Sequence, residues 1–309
     1  MTDRLISGEP SVIAIDIGGG STKLALVDRQ GEIRNWQSFS TQAPSGLEFI
    51  DKVLTASRQL QTEADMPIAG VSVAVAGFVA DGALEFNANL PWLEGAPIAP
   101  RLAKELGLPV LIDADSNAAC VAEYIFGQGQ GSSRFLCLTG GTGLGVGMIA
   151  QGKLLRIAHG CIGDAGHVIV SPEGPACSCG GRGCAEALLS TATLAKRYAE
   201  LTGRPKLSFR ALVEDAKLGK PQALTLIEEA GYWLGIAAAS LATILLPDRI
   251  AIAGGLSQAG DPLLTAAEAS FRSHGGFFPL ARASLVLAKK GEHATLLGAA
   301  ASFFHPALV

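Results

Sequence analysis

The sequence predicts an α/β protein built twice on one plan, as two lobes of mixed sheet and helix around a cleft. Three observations carry that expectation. Two Gly-rich segments, "VIAIDIGGGSTKLALVDRQG" (Val12 to Gly31) and "FLCLTGGTGLGVGMIAQG" (Phe135 to Gly152), share one pattern of apolar run, glycine turn and second apolar run. Strand-like and helix-like stretches alternate between and after them. A chain of 309 residues with 49% hydrophobic composition is long enough to bury two ordinary cores.

Each Gly-rich segment reads as a hairpin, because its β-prone runs are too short for helices and the glycines break them. After the first hairpin, Gly46 to Leu60 is an amphipathic stretch, Val71 to Ala76 reads as a buried strand, Ile98 to Leu106 as a helix and Val110 to Ile112 as a strand. A further helix is expected from near Asn117. After the second hairpin come helical runs at Leu188 to Leu201, Phe209 to Leu218 and Pro221 to Leu245, a strand at Arg249 to Ala253, and the Gly254-Gly255 turn. The expected lobes are a small one over 1–117 and a large one over 118–309, with a terminal helix around Ala294 to Phe304 crossing back to the small lobe.

Composition excludes several function classes. A net charge of −4 without a long basic run lacks the electrostatic footprint of nucleic-acid binding. No stretch is long enough to span a membrane without Gly, Pro or charge, and Met1 to Pro10 has no apolar signal core, so a cytoplasmic protein is expected.

In a reducing compartment, clustered cysteines more often hold a metal or do redox chemistry than form structural disulfides. "GHVIVSPEGPACSCGGRGCAE" brings His167 close in sequence to Cys177, Cys179 and Cys184. Three thiols and an imidazole suit closed tetrahedral zinc, and the intervening glycines let the backbone wrap tightly around it. A flexible loop with idle thiols or a redox pair are the competing readings; structural zinc accounts for all four residues. A closed site leaves no ligand position for chemistry, so catalysis must lie elsewhere.

The glycine turns supply a second kind of site. Backbone N–H groups uncovered by side chains form an anion-binding concavity, and Gly18 to Thr22 and Gly140 to Gly145 have that character. Neither fits a P-loop, since Lys23 runs on into a strand, nor a dinucleotide fingerprint, since the third glycine is missing. A lone loop would read as a hairpin turn; two matched loops favour a phosphate clamp. Asp16, at the end of a buried strand, suits a magnesium ion held through water beside substrate phosphates.

Together these residues resemble the ROK (repressor, open reading frame, kinase) family of bacterial sugar kinases in the actin-like ATPase superfamily. "DIGGGSTKLALVD" resembles the family's first phosphate loop, with Asp16, Gly18, Gly19, Gly20, Ser21, Thr22 and Lys23 on ATP. "GGTGLGVG", with Gly141, Thr142 and Gly143, resembles the second, and "IAIAGGLS", with Gly254 and Gly255, resembles the adenosine-side turn. "GDAGH" with "CSCGGRGCAE" resembles the zinc signature. The resemblance implies a duplicated ribonuclease-H-like fold, ATP-dependent phosphorylation of a sugar hydroxyl, and a homodimer.

By the same resemblance, "LIDADSNAAC" carries the family's Asp-x-Asn motif and Asp115 is the general base, with Asp113 its rival and a helix N-cap the plainer role. Gly77, Asn89, Asp164, His167 and Glu186 are implied on the sugar side, His167 serving zinc and sugar with its two nitrogens. Asp164 stands where the family commonly has Glu, Ala114 where it has Asn, and Gly20 where it has Thr. The implied activity is transfer to the 6-hydroxyl of a hexose, as in glucokinases. N-acylhexosamine and fructose kinases are alternatives that Ala114 and Asp164 favour. A non-catalytic sugar binder or a repressor is the reading from another class; the latter is disfavoured because only 15 residues precede Asp16, too few for a helix-turn-helix.

Overall fold

The computed structural model describes residues 8–87, 89–276 and 282–309, which fall into two compact units. The first comprises the chain up to Phe126 with Gly152–Ile162 and His293–Val309; the second comprises Gly127–Gln151 and Gly163–Glu292.

In the first unit, β1 (Ser11–Ile17) turns through Gly18–Gly20 into β2 (Ser21–Asp28), which pairs antiparallel and sets Lys23 opposite Asp16. There follow β3 (Ile33–Ser40), α1 (Gly46–Glu63), β4 (Ile68–Val75), a small hairpin of β5 (Phe78–Ala80) and β6 (Ala83–Phe86), α2 (Ile98–Leu106), β7 (Val110–Ala114) and α3 (Asp115–Phe126). The main sheet runs β3-β2-β1-β4-β7, with β1, β4 and β7 parallel.

The second unit repeats this plan. β8 (Arg134–Gly140) turns through Gly141–Gly143 into antiparallel β9 (Leu144–Ala150). The short β10 (Lys153–Leu154) lies in the Gly152–Ile162 stretch; α4 (Ala185–Leu189), α5 (Thr191–Thr202), α6 (Phe209–Lys217), α7 (Pro221–Leu245), β11 (Arg249–Ala253), α8 (Asp261–His274) and β12 (Ser284–Leu287) follow. The order β9-β8-β11-β12, with β8, β11 and β12 parallel, matches β2-β1-β4-β7 strand for strand in direction. This is the internal duplication that the two Gly-rich hairpins predict.

Side-chain alternation gives the first sheet two buried faces. Ile13, Ile15 and Ile17 pack with Phe49 and Val53 of α1 and Leu102 of α2. Val12 and Ala14 face the other way, toward Ala118 and Ala122 of α3 and Leu296 and Ala300 of α9 (Ala294–Phe304). That second face is lined by Ala14, Ala25 and Ala74, whose small side chains allow the α3–α9 pair to approach closely. The approach reaches backbone contact at Gly298, where a Cβ would collide with the Ala118 carbonyl. Gly298→Ala is therefore expected to destabilise the protein by about 1–3 kcal/mol, the usual cost of forcing volume into a packed core; urea titration against wild type checks it.

In the second unit Asp215 of α6 binds three donors: the Tyr198 hydroxyl of α5 at 2.7 Å, Arg204 at 2.6 Å and Lys220 at 2.7 Å. Lys220, then Tyr198 and Arg204, hold its carboxyl well below the usual carboxylate range. The group ties α5, α6 and the start of α7 together.

Two boundaries differ from expectation. The helix expected near Asn117 starts at Asp115, so this residue is the first of α3 rather than an N-cap before it. The run Leu188 to Leu201 breaks at Ser190, whose Oγ accepts the Thr193 N–H at 3.2 Å and caps α5. The exposed strand β3 carries no continuous apolar run, which is why periodicity alone passes over it.

Candidate active site

The carboxyl ends of parallel strands, where open α/β sheets bind ligands, gather the predicted residues of the first unit. Asp16 is the next-to-last residue of β1, Gly77 follows β4, and Asp113 and Asp115 bracket the end of β7. Asp16 is 9% exposed; burial raises its carboxyl and Lys23, 3.6 Å away, opposes that. The Asp115 carboxyl is pushed up to about 7, first by burial, then by the charge of Asp16 and, more weakly, that of Asp113, against the Ser116 amide.

Asp113 is differently placed. Its Oδ1 accepts Arg156 Nη1 at 2.9 Å and Asn117 Nδ2 at 2.8 Å, and its Oδ2 accepts Arg156 Nη2 at 2.6 Å. Both oxygens of this carboxylate are thus engaged by a guanidinium fork.

The first glycine loop is held from behind. The Gly18 N–H donates to the Ser21 carbonyl at 3.1 Å, and the Thr41 hydroxyl donates to the Gly18 carbonyl at 2.8 Å while lying 2.9 Å from the Thr22 hydroxyl. Gly20 is open on its outer side, and Gly19 lies next to Asn89, whose Cβ would be 3.6 Å from a Cβ at Gly19. The loop and Asn89 thus meet. The Asn89 N–H donates to Asn87 Oδ1 at 2.7 Å, forming a side-chain-closed turn. Gly77 has φ +110°, and a Cβ there would strike the Phe86 carbonyl, so only glycine fits between β4 and the hairpin.

In the second unit the Gly141 carbonyl accepts both the Thr191 N–H at 2.9 Å and the Thr191 hydroxyl at 3.0 Å, anchoring the second loop to the start of α5. Thr142 at its tip is exposed, Gly254 abuts Gly140, and Gly255 lies beside Thr191. Glu186 Oε2 accepts the Leu144 N–H at 3.1 Å, and a side chain at Gly143 or Gly166 would run into the same carboxylate. Asp164 Oδ1 accepts the Gly166 N–H at 2.9 Å, and its Oδ2 lies 3.6 Å from His167 Nε2. His167 Nδ1 points the opposite way, 3.8 Å from Cys177 Sγ.

That nitrogen joins the cysteines. The ligand atoms of His167, Cys177, Cys179 and Cys184 all lie within 4.8 Å of one another. Sulfurs bonded at about 2.3 Å to a tetrahedral zinc are about 3.8 Å apart; the Cys179 and Cys184 sulfurs are separated by 3.7 Å. Burial, then the neighbouring thiols, push Cys184 up to about 12. A divalent cation relieves that crowding by binding thiolates. The donor set therefore fits zinc.

The ROK family profile matches residues 12–305. The chain belongs to the ROK family. A glucokinase of Halalkalibacterium halodurans is 31% identical over 286 residues, 85% of this chain and 85% of that relative. An N-acetylmannosamine kinase of Citrobacter koseri is 35% identical over 226 residues, 71% of this chain and 74% of the relative. A ROK family glucokinase from Streptomyces griseus, solved with glucose and AMPPNP, superposes with a TM-score of 0.84 at 31% identity, covering 94% of this chain and 98% of that one. The fold is that of the actin-like ATPase kinases of the family.

Three residues of this ROK chain that hold the glycine loops or Asp113 carry no sequence signal for that task. Thr41 lies 23 residues from Gly18, Arg156 lies 43 from Asp113, and Thr191 lies 50 from Gly141. Asn117 sits in the Asp-x-Asn motif, yet its amide is spent on Asp113 and the Gly160 carbonyl.

Proposed function

We propose that this sugar kinase, an ATP phosphotransferase, uses Asp115 as general base toward the 6-hydroxyl of a hexose. The crowded carboxyl at the head of α3 carries the reading. It stands at the carboxyl end of the sheet with its proton affinity raised to about 7, while the neighbouring Asp113 is occupied by Arg156. A base poised near the working pH is the efficient kind.

The sugar oxygen attacks the γ-phosphorus as its proton passes to an Asp115 carboxylate oxygen. The new O–P bond forms while the bond to the β-phosphate oxygen breaks, and ADP departs. The amides of Gly18 to Thr22 and Gly140 to Gly145 take the phosphates, with Lys23 adding charge and Gly254-Gly255 bordering adenosine. Asp16 offers one carboxylate to a hydrated magnesium ion, which when bound neutralises phosphate charge. Gly77, Asn89, Asp164, His167 and Glu186 hold the sugar; the zinc ligands keep the last two in place. His167 suits both tasks because its two nitrogens face opposite neighbours.

An N-acylhexosamine is the second reading. The N-acetylmannosamine kinase likeness favours it, as does Asp164, whose short side chain is bent back onto Gly166. A coupled ADP-release assay over glucose, mannose, fructose and the N-acetylated hexosamines, with ³¹P NMR of the product, separates the two. Glucose or mannose turnover yielding a 6-phosphate supports the first reading; turnover confined to N-acetylated sugars replaces it, and no turnover with any sugar ends both.

The same carboxyl sets a pH dependence. Asp115 works as a base only when deprotonated, so kcat/KM is expected to fall as pH drops through about 7. A pH–rate profile of wild type flat down to pH 5 contradicts it.

A further inference from the structure

We infer that Arg156 is a positioning residue for this reaction, gripping the β7–α3 turn that carries Asp115; the inference rests on Asp115 being the base. The guanidinium fork on Asp113, at 2.9 and 2.6 Å, fixes that carboxylate in plane and distance. Arg156 Nη1 also donates to the Gly160 carbonyl at 2.7 Å. Asn117 Nδ2 bridges the same two acceptors, at 2.8 Å to Asp113 Oδ1 and 2.9 Å to Gly160 O.

Asp113 and Asn117 stand two residues before and two after Asp115, so the network holds the turn on both sides of the base. Both are buried, at 5% and 0% exposure, while the Arg156 side chain is 34% exposed, so the guanidinium reaches in from the surface onto a buried carboxylate and a buried amide. Arg156 also supplies the positive charge without which Asp113 would be an unpaired acid close to Asp115. The stretch carrying Arg156 is itself tied down in the first unit. His159 Nδ1 lies 2.7 Å from Glu85 Oε2 on β6, and its ring meets Phe78 of β5 edge-on at 5.9 Å. The arginine thus acts on the placement of a reacting group, where small displacements are costly to rate.

Arg156→Lys keeps the charge and loses the fork, and Arg156→Ala loses both. Steady-state kinetics with ATP and the best hexose are expected to show kcat lowered about 10- to 100-fold in both variants, the range found when supporting groups of a reactive centre are removed. KM for ATP should not change. Millimolar guanidinium chloride should restore part of the Arg156→Ala rate and none of the Asp115→Asn rate. Wild-type kcat in the two arginine variants overturns the inference. So does a loss that guanidinium leaves untouched and that tracks a lowered melting temperature, the mark of a merely structural ion pair. If Asp115→Asn itself keeps its turnover, the base assignment fails first and the inference falls with it; an inactive Asp115→Asn beside fully active arginine variants removes the inference alone.

Discussion

Asp115→Asn is expected to lower kcat by about 10²- to 10⁴-fold, the range that positioned acid–base catalysis contributes, while leaving the chain folded. The amide keeps the shape of the carboxyl and removes its ability to accept a proton. Folding should survive because the wild-type carboxylate is itself unfavourable. In the folded chain Asp115 holds its proton up to about 7, whereas its ordinary value is 3.8. Between those values the folded state binds more protons than the unfolded one, so stability falls as pH rises through that window and stays reduced above it. The Asn variant lacks this penalty. Its melting temperature at pH 8 should equal or exceed that of wild type, and the gap should close toward pH 4. Calorimetry at the two pH values, run beside the kinetics, checks both halves. Near-wild-type turnover removes Asp115 as the base, and a variant that melts far below wild type at pH 8 removes the electrostatic account of its site.

Cys184→Ser is expected to empty the candidate zinc site and lower stability. Cys184 is 3% exposed and immediately precedes α4, and its sulfur is 3.7 Å from that of Cys179. Replacing one of four tetrahedral ligands by a hydroxyl removes a thiolate that the metal needs, and the local fold goes with the metal because the two are linked. Elemental analysis should find close to one zinc per wild-type chain and much less in the variant, with wild type after prolonged chelation melting like the variant. The kinetic consequence should appear in KM for sugar. Glu186, two residues on, holds the second glycine loop through the Leu144 amide, and His167 is itself a ligand. Unchanged zinc in Cys184→Ser discards the ligand set.

The local pattern of the chain made much of this legible. Both glycine hairpins announce themselves because a β-strand needs only a short apolar run, Val12 to Ile15 and Phe135 to Leu138 here, and a glycine turn stops it cleanly. Helices α2, α7 and α9 begin and end where periodicity and Pro or Gly punctuation place them. The four side chains of the candidate metal site span only 18 positions, His167 to Cys184, so their grouping can be read along the chain. The partner of Asp113 could not be read in this way. Asp113 and Asp115 look alike in sequence, each an acid beside an apolar strand, and nothing local says which is paired.

What the sequence determined by itself is the set of local devices: a repeated strand–glycine–strand unit, a Cys/His cluster and an acid at a strand end. These depend on neighbours within a few residues, whose spacing the covalent chain sets. The tertiary structure alone decided which of the two acids at the end of β7 is paired and which is crowded, because that depends on burial and on charges from remote segments. Arg156 arrives from 43 residues away to neutralise Asp113, and Asp16 arrives from β1 to crowd Asp115. Electrostatic energy falls with distance in space and is blind to distance along the chain.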